Sequence, residues 1–370
     1  MNFDFSTEQR ALRDQAHRLF GDGVRRARQL LDRGESCDPA LWAQIVSLGF
    51  TAAAVPEDLG GLGLGALELC VMAEEAGRTL APVPLSSSVF HATEALRLAG
   101  GEPAREWLPR LASGEVTATV AFVETAGTWD APPESVVAGG KLSGSKGYVA
   151  HGVVADAAIV SARSEEDGDG YGWWLVALRG DGVRREALDG IDPLRGYARL
   201  RFDGAPAARI GSAGEGARLA TRLLDVAAVL DAFEQLGGAQ ALLHTCIDYA
   251  KTRRAFGSVI GVNQAVKHRL ADMYTRIELA RGHCLYGAWA LSSTSSDVPV
   301  AAAGARLAAT EAFSFAAEEA IELHGGIGFT WESDCHLYYR RARSLSLALG
   351  NRQRWCDRLV DALAARRSSN

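Results

Sequence analysis

Between Thr117 and Arg209 the helical periodicity that governs the rest of the chain stops. Short apolar runs (TATVAFV, KLSGSKGYVA, AAIVSA, WWLVAL and ARLRF) alternate there with Gly, Asp and Pro clusters. Runs of that length, bounded by turn formers, predict β-strands. On both sides the spacing returns to three and four residues. From Phe5 to about Ala112 the pattern is helical: Leu12, Ala16, Leu19 and Phe20 fall on one face, and Leu41, Ile45 and Leu48 on another. Ser6 or Thr7 is placed to cap the first helix. After GSAGEG, helices are expected near 216–252, 262–292, 298–323 and 351–366, with turns such as SSTSSD and HGGIG between them. A strand block set between two helical blocks predicts a small antiparallel barrel or sandwich flanked by helical domains. The expected divisions are 1–115, 116–212 and 213–370.

A chain of 370 residues exceeds the roughly 250–300 at which single cores stop growing, so several packing units are expected. Its 48% apolar composition, without a long uninterrupted apolar run, excludes a disordered chain and a membrane span. The net charge of −6 excludes nucleic acid as the principal partner, because phosphate contacts need clustered Lys and Arg. The opening MNFDFSTEQRALRDQAHRLF carries Asp4, Glu8 and Asp14, so it does not read as a signal peptide. The chain is expected to start at Met1 and to be cytoplasmic. Six scattered cysteines with no CxxC pair predict reduced thiols and no metal site. RSEEDGDGYG reads as a solvated hairpin loop, the glycines of Pro56–Gly65 as a turn needing positive φ, and Trp173 and Trp174 as strand anchors.

Several stretches occur in one telling order: LWAQIVSLGF, VPEDLGGLGLG, AEEAGRTLAPVPL, GSKGYV, AKTRRAFGSVIGVNQAVKHRLADM and ELHGGIGFTWE. Together they resemble the acyl-CoA dehydrogenases over nearly the whole chain. The resemblance implies an α+β multidomain fold: an N-terminal helical domain, a central antiparallel β-barrel or sandwich, and a C-terminal four-helix bundle. It also implies FAD, an acyl-CoA thioester substrate, and a carboxylate that removes the proton α to the thioester carbonyl while the flavin takes a hydride from the β carbon. Arg253 occupies the position of the family's FAD-phosphate arginine, and a guanidinium fork suits phosphate oxygens. Phe256, Asn263, Gln264, Glu322, Gly325 and Gly326 complete the cofactor-binding set that the resemblance implies.

The same comparison exposes departures. The family's catalytic glutamate precedes a glycine after a basic cluster; in register through RRAR that glycine is Gly350, and the glutamate position holds Leu349. A minority of the family carries the base on the helix before the RxxFG arginine, and that position holds Ala227. The nearest acids there are Asp225, Asp231 and Glu234. The flavin-facing loop is reduced to FVETAGTWD, keeping Glu124, Gly127 and Asp130, and the Trp-Ile-Thr motif is replaced by Tyr148, Val149 and Ala150. Glu322 stands where the family has a glutamine, placing an anion near a pyrophosphate.

In the family's dimers the RxxFG arginine and the GG turn reach the neighbouring subunit's FAD, whereas the β-domain loops and the base serve the subunit's own flavin. This chain keeps most of the first set and lacks much of the second. It thus resembles the subunit without a catalytic glutamate in actinobacterial heterotetrameric (α2β2) acyl-CoA dehydrogenases, which act on bulky CoA thioesters such as steroid side chains. The expected role is FAD contacts in trans to a second acyl-CoA dehydrogenase-like subunit. Two other readings stay open: a self-sufficient homo-oligomer using Asp225, Asp231 or Glu234, and a scaffold that binds no cofactor. His324 and His336 are expected to pack or hydrogen-bond locally.

Overall fold

The structure, a computed structural model, describes residues 6–124 and 128–368; Met1, Phe5 and Gly127 of the readings above lie outside them. Helices α1 (Thr7–Phe20), α2 (Gly23–Arg33), α3 (Pro39–Ser47), α4 (Ala66–Arg78), α5 (Thr93–Ala99) and α6 (Glu102–Ala112) come first. Strands β1 (Ala118–Ala121), β2 (Val136–Ala138), β3 (Lys141–Val149), β4 (Ala157–Ala162), β5 (Gly172–Ala177), β6 (Val183–Ala187), β7 (Ala198–Pro206) and β8 (Ala208–Ile210) follow. Then come α7 (Gly216–Thr252), the short strands β9 (Arg254–Ala255) and β10 (Ser258–Val259), α8 (Gln264–Ser292), α9 (Val298–His324), α10 (Cys335–Ala348) and α11 (Arg352–Ser368). The described residues form two compact units, one from 6–25, 66–81 and 228–368, the other from 26–65, 82–124 and 128–227.

The helical unit is built on close backbone approaches. Ser6 caps α1: its Oγ accepts from the Gln9 N–H at 3.2 Å while Gln9 Oε1 accepts from the Ser6 N–H at 2.9 Å. A Cβ on Gly77 of α4 would lie 2.0 Å from the Glu234 carbonyl oxygen of α7, and one on Gly237 would lie 1.9 Å from that of Glu74. Only glycine lets the two helices meet backbone to backbone. Similar contacts seat α7 against α9 (Gly238 on Phe313) and against α8 (Gly287 on Val229), while α10 and α11 pack on α9.

Helix α10 was not among the four long segments expected from periodicity. Its buried stripe, Leu337, Tyr338, Arg341, Ala342 and Leu345, has helical spacing but carries an arginine in the middle. Arg341 is buried because its guanidinium donates to Glu234 of α7 at 2.8 Å. A tertiary ion pair therefore broke the apolar pattern that sequence reading depends on.

The second unit carries two four-stranded sheets, ordered β1-β4-β5-β8 and β2-β3-β7-β6. Pairing is antiparallel except that β1 runs parallel to β4, Ala118 opposite Ala157. The β2–β3 hairpin, which lies in the other sheet, supplies the long crossover a parallel pair needs. Strands β4 and β5 are buried on both faces. Ile159, Trp173 and Leu175 join Leu96, Leu108 and Leu111 from the helices, whereas Val160, Trp174 and Val176 join Leu142, Leu200 and Phe202 of the second sheet. This explains why AAIVSA and WWLVAL read as continuous apolar runs. The acidic loop between them is not wholly solvated as expected: Asp167 is buried, accepting from Arg209 Nη1 at 2.7 Å and from the Gly214 N–H at 2.9 Å. All six cysteines are free thiols, and no helix among the described residues is long and apolar enough to cross a membrane.

Candidate functional site

Arg253 follows the last turn of α7, where the chain enters the β9–β10 hairpin, Ala255 opposite Ser258. Its turn is Phe256 (φ 52°) and Gly257 (φ 84°), so both central residues are left-handed. Such two-residue turns favour Asn-Gly, and a phenylalanine there costs about 1–2 kcal/mol of backbone strain. Phe256 recovers no packing among the described residues, because the residue is 105% exposed. An unpacked aromatic held in a strained turn points to something outside the chain that covers it. Phe256→Asn should stabilise the isolated chain by about 1 kcal/mol, read as a rise in melting temperature; a fall would show that Phe256 is packed in solution.

The GG turn is brought beside this hairpin. Tyr249, near the end of α7, stacks on His324, the last residue of α9, with ring centroids 4.1 Å apart. His324 Nδ1 lies 2.7 Å from the Ala320 carbonyl, and His336 stacks on Trp331 at 4.9 Å, the local packing expected of both. Gly325 (φ 61°) and Gly326 have open space where a Cβ would stand. Arg253, Asn263, Gln264 and Glu322 are exposed. No side-chain partner of Arg253 is found among the described residues. The exposed aromatics Phe329 and Trp331 continue this face beyond the glycines.

The two base positions are filled by core. Leu349 is 1% exposed, and its carbonyl accepts from Trp355 Nε1 at 3.1 Å. Ala227 is fully buried. The neighbouring acids Asp225, Asp231 and Glu234 are all buried. Glu234 accepts from Arg341; Asp231 and Glu234 both act on Arg306 of α9, whose pKa burial lowers and these two carboxylates raise. Arg306 also donates to Gln235 Oε1 at 3.3 Å and to the Leu345 carbonyl. Sequence reading missed Arg306 and Arg341. The available signal was a pair of acids one helical turn apart inside the apolar stretch LLDVAAVLDAFEQL, which must find buried cations elsewhere.

In the strand unit, Glu124 is occupied structurally. Its Oε1 accepts from Lys146 Nζ at 2.7 Å, from Ser135 Oγ at 2.7 Å and from the Ser135 N–H at 2.9 Å. Burial alone would raise its pKa, but these donors hold it at about 2; burial draws the fully enclosed Lys146 down to about 8. A depressed carboxylate stabilises above its unfolded pKa and loses that contribution as pH falls. Melting temperature should therefore drop between about pH 4.5 and 2, and Glu124→Gln should flatten that limb; an unchanged limb would exclude Glu124 as its source. Asp130 accepts from Thr128 Oγ1 at 2.6 Å, Val149 is buried, and the Ala150 carbonyl accepts from Thr119 Oγ1 at 2.7 Å. Tyr148, at φ 51°, projects from the sheet.

The family model for the acyl-CoA dehydrogenase N-terminal domain matches residues 6–115, and that for the C-terminal domain matches residues 214–364. Acyl-CoA dehydrogenase IpdE2 of Mycobacterium tuberculosis is 34% identical over 323 residues, 87% of this chain and 85% of its own. The chain belongs to the acyl-CoA dehydrogenase family. A variant of the Tcur3481–Tcur3483 steroid ACAD superposes with a TM-score of 0.86 at 32% identity, over 98% of this chain and 99% of that one. The ChsE4–ChsE5 complex from Mycobacterium tuberculosis gives a TM-score of 0.88 at 28% identity, over 98% and 99%. The chain is thus an FAD-dependent acyl-CoA dehydrogenase, an oxidoreductase of the helical, β-sheet and helical architecture expected from its sequence.

The rim of this acyl-CoA dehydrogenase suits a dinucleotide: an exposed guanidinium for phosphate oxygens, an uncovered aromatic ring, and glycines where another molecule can approach the backbone. Glu322 is exposed, so water weakens its repulsion of that group without abolishing it.

Proposed function

We propose that this chain is a base-less subunit of a heteromeric (α2β2) acyl-CoA dehydrogenase, presenting FAD contacts to a companion subunit that carries the base. Arg253 would hold the pyrophosphate, Phe256 would pack on the cofactor, Asn263 and Gln264 at the start of α8 would donate polar contacts, and the Gly325–Gly326 turn with Glu322 beside it would border the nucleotide. When bound, FAD supplies the hydride acceptor for α,β-dehydrogenation of the thioester. The carrying observation is that Leu349 and Ala227 are sealed in apolar core while Asp231 and Glu234 face buried arginines. Glu234 Oε1 is engaged by the buried Arg341 guanidinium, and turning it toward a substrate carbon would strand that cation, so it is poorly placed as a proton acceptor.

A bulky CoA thioester is the proposed substrate class, a reading supported by the likeness to a structure named as a steroid ACAD. The reading is tested by the visible absorption spectrum of the purified chain, alone and coexpressed with a second acyl-CoA dehydrogenase-like subunit. The expected result is no flavin alone and about one FAD per pair of chains together. One FAD per chain alone, bleached by an acyl-CoA, would sink it and establish a self-sufficient enzyme. Coexpression without flavin in either state would favour a scaffold.

A further inference from the structure

The loop that ends in Thr128–Asp130 stands where the family resemblance places contacts to a subunit's own flavin, yet its largest side chain is turned inward. A turn fixes it there: the Ala131 N–H donates to the Thr128 carbonyl at 3.1 Å, and Thr128 Oγ1 donates to Asp130 at 2.6 Å. Trp129 is partly buried and packs on the core cluster that β5 shares with the helices of its unit. Its ring meets His91 edge-on, with centroids 5.2 Å apart at 85°, and Phe122 at 5.9 Å and 76°. Both contacts lie in the range that edge-to-face aromatic pairs prefer.

The seat of this ring is rigid. His91 belongs to a π-helix, Leu85–Ala92, whose eight residues are all buried. Such helices are rare and recur at functional sites. Three consecutive serines pin this one: Ser86 Oγ accepts from Arg195 Nη1 at 2.6 Å, Ser87 Oγ lies 2.9 Å from His151 Nδ1, and Ser88 Oγ accepts from the Ala118 N–H at 3.2 Å. On the other side Phe122 rests on Trp173, centroids 4.9 Å apart. With both walls fixed in close packing, a flat ring can enter only by expelling Trp129. Nor is the cluster packed for stability alone. Tyr171 Oη and Trp173 Nε1 are buried in it with no hydrogen-bond partner among the described residues, which is destabilising.

We infer that Trp129 is a built-in stopper that closes this chain's own flavin seat, leaving the Arg253 rim to serve the companion's cofactor. The neighbouring groups are committed in the same sense: Glu124 to Lys146 and Ser135, and the Ala150 carbonyl to Thr119. This role for Trp129 rests on the base-less-subunit reading for the companion's flavin, but on none of the rim residues.

The FAD-to-chain ratio after gel filtration, for the isolated chain with added FAD and for the coexpressed complex, tests it in Trp129→Ser/Ala150→Thr. Serine empties the seat, and threonine returns the hydroxyl of the replaced motif. The complex should rise from one FAD per pair of chains toward one per chain, and the isolated variant should take up FAD where the wild type does not. Ala150→Thr alone should change nothing, because Trp129 still fills the seat. Trp129→Ser should also lower the melting temperature. If serine unfolds the loop, Trp129→Leu/Ala150→Thr keeps the apolar packing and should give a smaller gain in the same direction. Flavin content unchanged in the folded double variants, or raised as much by Ala150→Thr alone, would overturn the inference, as would one FAD per chain in the isolated wild type. The trans-site reading fails separately, through a complex whose flavin survives Arg253→Ala whatever the Trp129 variants do.

Discussion

Glu234→Ala should destabilise the chain by about 3–5 kcal/mol, because it strands a buried cation. Glu234 and Arg341 are 6% and 4% exposed, and their oxygen and nitrogen are 2.8 Å apart. Arg306, 1% exposed, depends on the same carboxylate and on Asp231 to keep its charge against desolvation. Urea unfolding should show a lower midpoint with little change in slope. Replacing both partners, Glu234→Leu with Arg341→Met, should recover most of the loss, since a well-packed apolar pair avoids desolvating two charges. The result also bears on catalysis. Removing an accessible general base usually leaves stability unchanged or raised, because active-site residues are selected for chemistry rather than packing. A loss below about 1 kcal/mol would mean that Glu234 is free enough to act as a displaced base.

The fold was legible wherever local pattern and tertiary role agreed. The Ser6–Gln9 box, the long stretches of α7, α8 and α9, and the five apolar runs became the elements their spacing predicts. Strands β2, β6 and β8 were not anticipated. VVA and ARI are only three residues long, and the Val183–Ala187 run carries Arg184 and Arg185 on a largely exposed edge. Helix α10 was obscured by Arg341, whose place in an apolar stripe makes sense only once Glu234 of another helix stands opposite.

The candidate site divides in the same way. Arg253 and the HGGIG glycines could be matched as motifs because short local stretches carry them. The strained Phe256 turn is also local, but sequence shows neither its left-handed backbone nor that the ring finds no packing. That Asp231 and Glu234 are engaged by Arg306 and Arg341 is a contact between three helices, invisible to any reading along one of them. The seating of Trp129 on His91 likewise joins a loop to a π-helix distant from it in the chain, which neither stretch shows by itself.

Arg253→Ala should weaken FAD retention by the assembled complex by about 10- to 100-fold, the consequence of losing a charged hydrogen bond worth about 1.5–3 kcal/mol. The stability of the chain itself should move by less than about 0.5 kcal/mol, since Arg253 is exposed and its guanidinium has no partner among the described residues. Arg253→Lys separates charge from geometry: a lysine keeps the positive charge but not the planar fork. It should fall between wild type and alanine if the phosphate oxygens are held in a bidentate fashion, and near wild type if only charge matters. The readout is the FAD-to-protein ratio after gel filtration of the coexpressed complex, with fluorescence of released flavin as a second measure. Glu322 is an exposed anion close in sequence to the Gly325–Gly326 turn, so if the pyrophosphate lies there Glu322→Gln should move retention upward in the same assay. Full retention in Arg253→Ala, with Glu322→Gln equally silent, would remove this rim from the cofactor and leave the exposed Phe256 and the open glycines as a surface for protein contact alone.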